Sequence, residues 1–332
     1  MAKPKVVITN RPFQETIAFL EPHCNVAANS EVDIWSKPKM KAELRDATAM
    51  MAFMPDVVDG SFLAACPNLK MISCALKGYD NFDQKACARR DIVVTFVPDL
   101  LTEPTAELAV GLTITLARNM RAGDWHVRSN SHNGWRAHLY GKSFNGSVVG
   151  LLGFGAVGRA TALRLSGFGC QILYFDRSPL LVKEEQYFSA VSTTLDSLLE
   201  SSDFILVCLP LNTGTRHLIN AARIGQMKPG TNLVNISRGS VVDEKAVADA
   251  LEDGHLAGYA ADVFEFEDLA LLDRPREIDP RLLAPGAPTV FTPHIGSAVT
   301  SVRKDIELQA ARNIVQFLRG ETPEDVILQP AT

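Results

Sequence analysis

One glycine-rich stretch constrains the fold of this chain more than any other part of its sequence. Residues 148–158 read Val-Val-Gly-Leu-Leu-Gly-Phe-Gly-Ala-Val-Gly, an apolar run followed by glycines in the spacing Gly-x-Gly-x-x-Gly. A helical pattern continues to residue 165, and a second apolar run at residues 171–175 ends at Asp176. Strand, glycine turn, helix, strand and acid in this order predict a dinucleotide-binding unit, although an ordinary glycine-rich turn is the alternative.

Each glycine of this unit has a separate physical role. Gly153 permits the tight turn, Gly155 lets the backbone approach a pyrophosphate, and Gly158 lets the helix pack closely against the strand. The helix N-terminus offers free N–H groups and a partial positive charge to the phosphates. Asp176 is placed to accept hydrogen bonds from an adenosine ribose, which favours NAD over NADP because a 2′-phosphate would meet like charge there. Arg177 follows directly; it either reaches the 2′-phosphate of NADP, if Asp176 turns away, or is only solvated or lies over the adenine.

The rest of the chain alternates short apolar runs with helical patterns, which predicts α/β domains with parallel sheets. In the first hundred residues the strand patterns are 5–9, 25–28, 49–54, 71–74 and 92–96, and the helical patterns are 13–20, 39–45, 60–65 and 84–90. Later strand patterns are 204–209, 232–236, 257–263 and 289–291.

A final helical pattern at residues 297–319 begins just after the last strand, so it is able to cross back to the first domain. We therefore expect a Rossmann-type doubly wound domain, residues 101–297, inserted into a smaller flavodoxin-like α/β substrate domain, residues 1–100 plus 298–332.

A long apolar helix and a polar loop connect the two predicted domains. Thr102 is the expected N-cap of a helix that runs to about Arg121 and is apolar nearly all round, which indicates burial between domains or subunits. Residues 123–146 are expected to form a loop that carries Trp125, Trp135 and Tyr140. A loop of this length is typical of a functional segment or a subunit contact.

Composition excludes several classes of function. With 46% hydrophobic residues and a net charge of −5, the chain has no basic block that indicates a nucleic-acid partner. No apolar run has the roughly 20 residues that a membrane span needs, and the N-terminus does not read as a signal peptide. The six cysteines are scattered without metal-like spacing, so we expect a reduced cytoplasmic protein without a metal site.

Three polar residues follow predicted strands, at the sheet edge where ligands bind in doubly wound folds. Arg238 follows the strand at 232–236, Glu267 follows the strand at 257–263, and His294 follows the strand at 289–291. A cation that holds an anionic substrate, an imidazole that moves a proton and a carboxylate that orients the imidazole suit hydride transfer. Taken singly, each has a simpler explanation: a surface arginine, a solvated acidic run and an isolated histidine.

Together these residues resemble the D-isomer-specific 2-hydroxyacid dehydrogenases. The resemblance rests on the glycine turn with Asp176 and on the segments Ser-Arg-Gly-Ser-Val-Val-Asp at 237–243, Ala-Asp-Val-Phe-Glu-Phe-Glu at 261–267 and Pro-His-Ile-Gly at 293–296. It covers about residues 5–320. It implies that Arg238, Glu267 and His294 are catalytic, and that the protein pairs as a homodimer through its dinucleotide domain.

The same resemblance implies a set of contacts to the cofactor. Asp262 is expected to contact the nicotinamide carboxamide, and Leu209 and Pro210 are expected to border the adenosine. The full cofactor-binding set that the resemblance implies is Lys77, Thr105, Gly153, Phe154, Gly155, Ala156, Val157, Gly158, Asp176, Arg177, Leu209, Pro210, Ser237, Arg238, Asp262, His294 and Gly296.

One segment departs from the usual pattern of the family. Carboxylate-specific members present a Gly-x-Gly turn before Asp-Asn, but residues 73–83 read Ser-Cys-Ala-Leu-Lys-Gly-Tyr-Asp-Asn-Phe-Asp. Leu76 replaces the first glycine, and Lys77 adds an ammonium group that suits a dianionic substrate. The alternative is that the Lys77 side chain points to solvent.

This segment resembles the phosphite-oxidising branch of the family, the phosphonate dehydrogenases. Further segments that carry the likeness are 50–56, 97–102, 264–268 and 293–299. The resemblance implies a substrate site formed by Met54, Lys77, Gly78, Trp135, Tyr140, Arg238, Ser297 and Arg303.

The expected reaction is oxidation of phosphite to phosphate with NAD, in which a hydride leaves phosphorus as water attacks. Arg238 and Lys77 are expected to hold the oxyanion, and His294, supported by Glu267, is expected to take the proton from water, unless it only orients the reactants. Two alternatives stay open. One is a D-2-hydroxyacid dehydrogenase of the glyoxylate or hydroxypyruvate reductase type, and the other is an NAD-sensing binding protein similar to corepressors of this fold.

Overall fold

The computed structural model describes residues 3–328 and divides into two compact units. The first unit comprises the described residues up to Leu101, together with Leu269–Leu272 and the described residues from Ala298 onward. The second unit comprises Thr102–Asp268 and Asp273–Ser297. The second unit is therefore inserted into the sequence of the first.

Short strands and helices alternate along the described residues. In chain order the strands are β1 (Lys5–Ile8), β2 (Asn25–Ala28), β3 (Ala49–Ala52), β4 (Met71–Cys74), β5 (Val93–Thr95), β6 (Val148–Leu152), β7 (Gln171–Phe175), β8 (Ala190–Ser192), β9 (Phe204–Val207), β10 (Thr231–Asn235), β11 (Leu256–Ala261), β12 (Thr289–Phe291) and β13 (Val326–Leu328).

The helices, in the same order, are α1 (Gln14–Leu20), α2 (Lys37–Leu44), α3 (Gly60–Ala64), α4 (Gln84–Ala88), α5 (Thr102–Ala117), α6 (Met120–Arg128), α7 (Ala156–Leu165), α8 (Val182–Phe188), α9 (Leu195–Ser201), α10 (Ala221–Gln226), α11 (Glu244–Glu252) and α12 (Thr300–Leu318). Three 3₁₀ turns accompany them: Ser166–Phe168, Gly239–Val241 and Glu265–Glu267.

The first unit is built on a six-stranded sheet in the order β13-β5-β4-β3-β1-β2. Neighbouring strands are parallel except β13, which pairs antiparallel with β5. The central strands β3 and β4 are buried along their whole length, as expected for strands covered on both faces. One face is covered by α12, whose Ile306, Ala310 and Ile314 pack in a core with Met51 and Met71.

The second unit is built on a seven-stranded parallel sheet in the order β12-β11-β10-β9-β6-β7-β8. The chain enters this sheet at β6 and adds β7 and β8 on one side of it. It then crosses to the other side of β6, where it adds β9 and the strands that follow. The crevice at the carboxyl ends of β6 and β9 is therefore the topological switch point, where ligands bind in such sheets. This architecture confirms the predicted α/β class with a Rossmann-type doubly wound sheet.

The connection before β6 differs from the prediction. The apolar helix ends at Ala117 rather than near Arg121, because Asn119 adopts a left-handed conformation (φ 52°) that breaks the helical repeat. A second helix, α6, then covers the first part of the segment that we expected to be a loop. Thr102 is the first helical residue rather than the cap.

The apolar character of α5 is explained by its packing within the second unit. Ala109, Leu112 and Leu116 lie in one core with residues of β6 and β10. Two short strands that the sequence patterns did not indicate, β8 and β13, extend the two sheets at their edges. Within residues 3–328, no helix combines the length and apolarity that crossing a membrane demands.

Candidate active site

The glycine turn lies between β6 and α7, at the switch point of the second sheet. Gly153 has φ +96°, a conformation that favours glycine, and its N–H donates to the Phe175 carbonyl at the end of β7 (2.8 Å). A Cβ at Gly158 would overlap the Gly153 carbonyl oxygen, whereas nothing lies within 4 Å of a Cβ at Gly155. The backbone is therefore open where a pyrophosphate would approach, and the free N–H groups of α7 begin at the next residue.

Asp176 directly follows β7 and is fixed by two backbone donors. Its Oδ2 accepts a hydrogen bond from the Phe154 N–H (2.8 Å), and its Oδ1 accepts one from the Ser178 N–H (2.9 Å). These bonds hold the carboxylate beside the glycine turn, where it has lone pairs left for a ribose hydroxyl. Arg177 next to it is exposed. The turn, the helix end and the acid thus fit a dinucleotide.

His294 and Glu267 form a close pair at the carboxyl ends of β12 and β11. The Nδ1 atom of His294 lies 2.6 Å from Oε2 of Glu267, and the two side chains are only 27% and 22% exposed. Oε1 of Glu267 accepts a second hydrogen bond from the Phe264 N–H (3.1 Å). The carboxylate is therefore held through both oxygens, and it fixes the orientation of the imidazole.

Asp262 fixes the loop that carries His294. Its Oδ1 accepts from the Thr292 hydroxyl (2.6 Å) and the Ile295 N–H (2.7 Å), and its Oδ2 accepts from the Gly296 N–H (2.8 Å). Burial raises the pKa of this carboxyl, and the three donors oppose that rise. A Cβ at Gly296 would come within 3.3 Å of the Thr105 hydroxyl, so Thr105 lines the same loop.

Arg238 lies in the turn that follows β10, and Asn235 organises this turn. Nδ2 of Asn235 donates to the Arg238 carbonyl (2.9 Å), and Oδ1 of Asn235 accepts from the Ser237 N–H (3.1 Å). The Arg238 guanidinium donates to the Ser237 carbonyl through Nη1 (2.8 Å). These bonds place Arg238 at the carboxyl end of β10, the strand beside β11.

In the first unit, Lys77 lies just beyond the carboxyl end of β4. Its Nζ is 3.7 Å from Oδ1 of Asp99, and the two side chains are 34% and 80% exposed. The Val97 N–H donates to the Leu76 carbonyl (3.0 Å), which ties this loop to the segment after β5. The ammonium is thus half-buried and paired with a carboxylate that is largely in water, so a bound anion can replace that partner.

Met54 and Arg303 lie in the same unit as Lys77. The Met54 carbonyl accepts from Nδ2 of Asn81 (3.0 Å), a residue of the Lys77 loop, so the two loops are joined. The Arg303 guanidinium lies 6.0 Å from the centre of the Phe53 ring and lines a cavity of about 330 Å³. Burial lowers the pKa of this guanidinium, and Glu307 partly offsets the effect.

A larger cavity, of about 440 Å³, lies at the opposite end of the first sheet, where the strands begin. It is lined by Lys3, Lys5 and Asp46 among others and contains none of the predicted site residues. Ligands of parallel sheets bind at the carboxyl ends of strands, so we do not assign it to the reaction.

The remaining predicted residues are less closely tied to these groups. Trp135 and Tyr140 lie in the segment after α6 and are 79% and 75% exposed. Leu209 and Pro210 follow β9, and the Leu209 side chain lies 3.0 Å from the Cβ position of Gly153. Ser297 and Gly78 are partly exposed.

Sequence reasoning missed residues that hold the site in place. Thr292 bonds Asp262, Asn235 shapes the Arg238 turn, and Asn81 joins the Met54 and Lys77 loops. Thr292 and Asn235 are polar residues at strand ends, which is the signal that could have identified them. In the part of the chain that the structure describes, no cluster of His, Cys, Asp and Glu is arranged to hold a metal ion.

Comparison with known proteins agrees with this geometry. The family model described as D-isomer specific 2-hydroxyacid dehydrogenase, NAD binding domain, matches residues 110–296. A glyoxylate reductase of Thermofilum pendens is 36% identical over 98% of this chain and 95% of its own length. A glyoxylate reductase of Pyrococcus furiosus is 35% identical with the same coverage.

A solved structure extends the likeness to three dimensions. The D-lactate dehydrogenase of Aquifex aeolicus, complexed with NAD and lactic acid, superposes with a TM-score of 0.85 at 25% identity. The match covers 98% of this chain and 100% of that one.

Proposed function

The chain belongs to the D-isomer-specific 2-hydroxyacid dehydrogenases, and we propose that within this family it oxidises phosphite to phosphate with NAD. Membership makes it an oxidoreductase with an NAD-binding domain and a small-molecule substrate. The choice of phosphite rests on one observation: a half-buried lysine, Lys77, stands where carboxylate-specific members have a glycine turn.

The charge of the substrate is the physical reason for this choice. Phosphite is a dianion near neutral pH, whereas glyoxylate carries a single charge. Charge-assisted hydrogen bonds to an oxyanion are about twice as strong as neutral ones, so an added ammonium favours the dianion. Lys77 and Arg238 are the candidate cations.

Bound NAD supplies the hydride acceptor, and the balanced reaction is HPO₃²⁻ + NAD⁺ + H₂O → HPO₄²⁻ + NADH + H⁺. His294 takes a proton from the attacking water through Nε2, since Nδ1 is engaged with Glu267. Glu267 stabilises the imidazolium that forms. Arg238 orients the oxyanion and offsets the negative charge that grows on its oxygens as phosphorus becomes five-coordinate.

A second candidate, reduction of glyoxylate or a similar 2-oxoacid, is favoured by the relatives of the chain. The two relatives named above, from Thermofilum pendens and Pyrococcus furiosus, are both glyoxylate reductases, and neither is named as a phosphite-oxidising enzyme. The same His294–Glu267 pair would serve that reaction with His294 as the proton donor. The two candidates therefore differ in the substrate loops rather than in the cofactor or the acid–base pair.

We further propose that the protein is a homodimer that pairs through α6 and the segment after it. Met120, Trp125, Trp135, Leu139 and Tyr140 are 41–79% exposed there, a concentration of apolar surface typical of an interface. Light scattering of the purified protein measures its mass in solution and so tests whether it is a homodimer. The cytoplasmic location expected from the scattered cysteines stays a prediction.

One comparison of substrates tests the proposed function. Purified protein is mixed with NAD⁺ and phosphite, and NADH is followed by its absorbance. In parallel, glyoxylate and hydroxypyruvate are offered with NADH. We expect kcat/KM for phosphite to exceed that for either oxoacid by at least about tenfold, because a hydrogen bond from the Lys77 ammonium to a charged oxygen contributes about 1.5–3 kcal/mol. A ratio in favour of an oxoacid overturns the proposal.

A further inference from the structure

The 3₁₀ turn Glu265–Glu267 carries two histidine–carboxylate pairs rather than one. Glu267 pairs with His294, and two residues earlier Glu265 pairs with His217, whose Nε2 lies 2.7 Å from its Oε2. Both histidines have a left-handed backbone, with φ of 56° at His294 and 46° at His217. The Glu265 side chain is 8% exposed, so its carboxylate lies in the interior, and it has no part in the reaction proposed for His294.

The other oxygen of Glu265 joins the turn to helix α11. Its Oε1 accepts from the Glu244 N–H (2.9 Å), and Oε1 of Glu244 accepts in return from the Glu265 N–H (2.8 Å). The side chain of each residue therefore accepts a hydrogen bond from the backbone N–H of the other. This reciprocal clamp fixes the start of the turn against the first residue of α11.

A second connection joins the same turn to the residues after Arg238. Oδ2 of Asp268 accepts from the Ser240 N–H (2.7 Å). A Cβ at Gly239 would overlap the backbone of Phe264 and Glu265, so the two segments are in direct backbone contact. The Arg238 turn and the Glu267 turn therefore form one assembly.

We propose that Glu244 is a positioning residue which, through its clamp with Glu265, holds Glu267 in reach of His294 and beside the Arg238 turn. Glu244 itself touches neither reactant nor cofactor. The assignment of Glu267 and His294 as the reacting pair rests on the proposed function, whereas the clamp rests on the contacts between Glu244 and Glu265.

The charge of Glu244 affects the stability of the clamp. Burial, together with the neighbouring carboxylates of Glu265, Glu267 and Asp268, raises the pKa of Glu244 to about 8, and the hydrogen bond from the Glu265 N–H only partly opposes that rise. Within the described residues its Oε2 is buried and lacks a hydrogen-bond partner. Loss of the proton would place a new charge beside three acidic side chains, and the repulsion between them would weaken the contact between the turn and α11.

Two further titratable groups face this cluster of carboxylates. Burial raises the pKa of the Tyr259 phenol on β11 well above its usual value, so this group stays neutral and does not balance a charge on Glu244. His217 contacts Oε2 of Glu265, the oxygen that the Glu244 N–H does not use. The pH response of the clamp is therefore expected to follow Glu244.

The test compares the pH dependence of three proteins: the wild type, Glu244→Gln and Glu252→Gln. Gln keeps the shape of Glu244 and its acceptor oxygen but cannot ionise. Glu252 lies at the other end of α11, with its side chain 60% exposed, and serves as the matched control. We expect wild-type and Glu252→Gln turnover to fall about tenfold per pH unit above pH 8, and Glu244→Gln to lose that decline. Identical profiles for all three overturn the proposal.

A readout that needs no substrate separates this proposal from the proposed function. The proton between His294 and Glu267 is followed by NMR as a downfield resonance, identified by its loss in His294→Asn. We expect it to weaken above pH 8 in the wild type and to persist in Glu244→Gln.

If neither phosphite nor an oxoacid is turned over, the proposed function fails while this result still decides the clamp. Should the resonance behave alike in both proteins, Glu244 does not position Glu267. Glu265→Ala, which removes the clamp from the other side, is expected to weaken the resonance at every pH.

Discussion

His294 and Glu267 are joined by a 2.6 Å contact between Nδ1 and Oε2, and this contact determines which ring nitrogen is left for chemistry. With Nδ1 donating to the carboxylate, Nε2 carries the lone pair and is the atom that exchanges a proton with a reactant. The left-handed backbone at His294 is a conformation that asparagine tolerates better than most residues, which guides the choice of variant.

Replacing the proposed base should remove most of the activity without unfolding the protein. For His294→Asn we expect kcat to fall by about 10²–10⁴, since this is the usual contribution of a positioned acid or base. NAD affinity, measured by tryptophan quenching, should fall by a smaller factor than kcat. Activity within about threefold of the wild type would exclude His294 as the base.

Lys77 should control affinity for the dianion. A hydrogen bond to a charged group contributes about 1.5–3 kcal/mol, so Lys77→Ala should raise KM for phosphite by about ten- to a hundredfold. Lys85→Ala, at an exposed lysine on α4, is the control and should leave KM unchanged. Steady-state kinetics at constant ionic strength measure both, and equal KM values would show that Lys77 points to solvent.

Gly158 should be essential for the cofactor turn. In Gly158→Ala the added methyl group overlaps the Gly153 carbonyl, so we expect NAD binding to weaken at least about tenfold and the melting temperature to fall. Gly225→Ala on α10 adds a methyl group into open space and should stabilise the protein by about 0.5–1 kcal/mol. Calorimetry and NAD titration distinguish them, and equal effects would contradict the steric explanation.

The buried Asp56 should make stability depend on pH. It accepts from the Thr9 hydroxyl (2.5 Å) and the Phe53 N–H (2.8 Å), and burial raises its pKa from 3.8 to about 6. The folded state holds this proton more tightly than the unfolded state, so the contribution of this group to stability is greatest below about pH 4. It falls by about 3 kcal/mol as pH rises from about 4 to about 6.

Urea unfolding across this pH range measures the effect of Asp56. The slope should be lost in Asp56→Asn and kept in Asp305→Asn, a substitution at an exposed position of α12. A slope that persists unchanged in Asp56→Asn would assign it to other groups.

Arg177 should govern the use of NADP. The residue is exposed next to Asp176, where its side chain can meet a 2′-phosphate. Arg177→Ala should raise KM for NADP by about tenfold and leave KM for NAD unchanged. An equal change for both cofactors would show that Arg177 does not distinguish them.

The elements that sequence patterns predicted well are those with a local physical cause. Glycine spacing and the apolar run at β6 located the dinucleotide turn, because both the turn geometry and the burial depend on adjacent residues. Helix α6 was missed because it buries none of its residues and its start depends on the left-handed Asn119. The edge strands β8 and β13 gain their hydrogen bonds from distant partners, which no local pattern contains.

In the site, too, sequence patterns located residues with a local signal and missed contacts between distant residues. Arg238, Glu267 and His294 were found because each follows a strand, whereas the contacts that hold them join residues far apart in sequence. The Asp262 bond to Thr292 and the Glu265 bond to Glu244 span 30 and 21 residues. Spacing alone cannot reveal such pairs, because they arise only when the sheet brings strand ends together.

The place of α12 in the sequence has a consequence for synthesis on the ribosome. The first sheet cannot bury the face formed by Met51 and Met71 until Ile306 and Ile314 have been made. During that interval the nascent chain presents an open apolar surface, although every residue of the inserted second unit has already been synthesised. The core of the first unit therefore closes only after the whole second unit has been synthesised, so its apolar face is open to aggregation for longer.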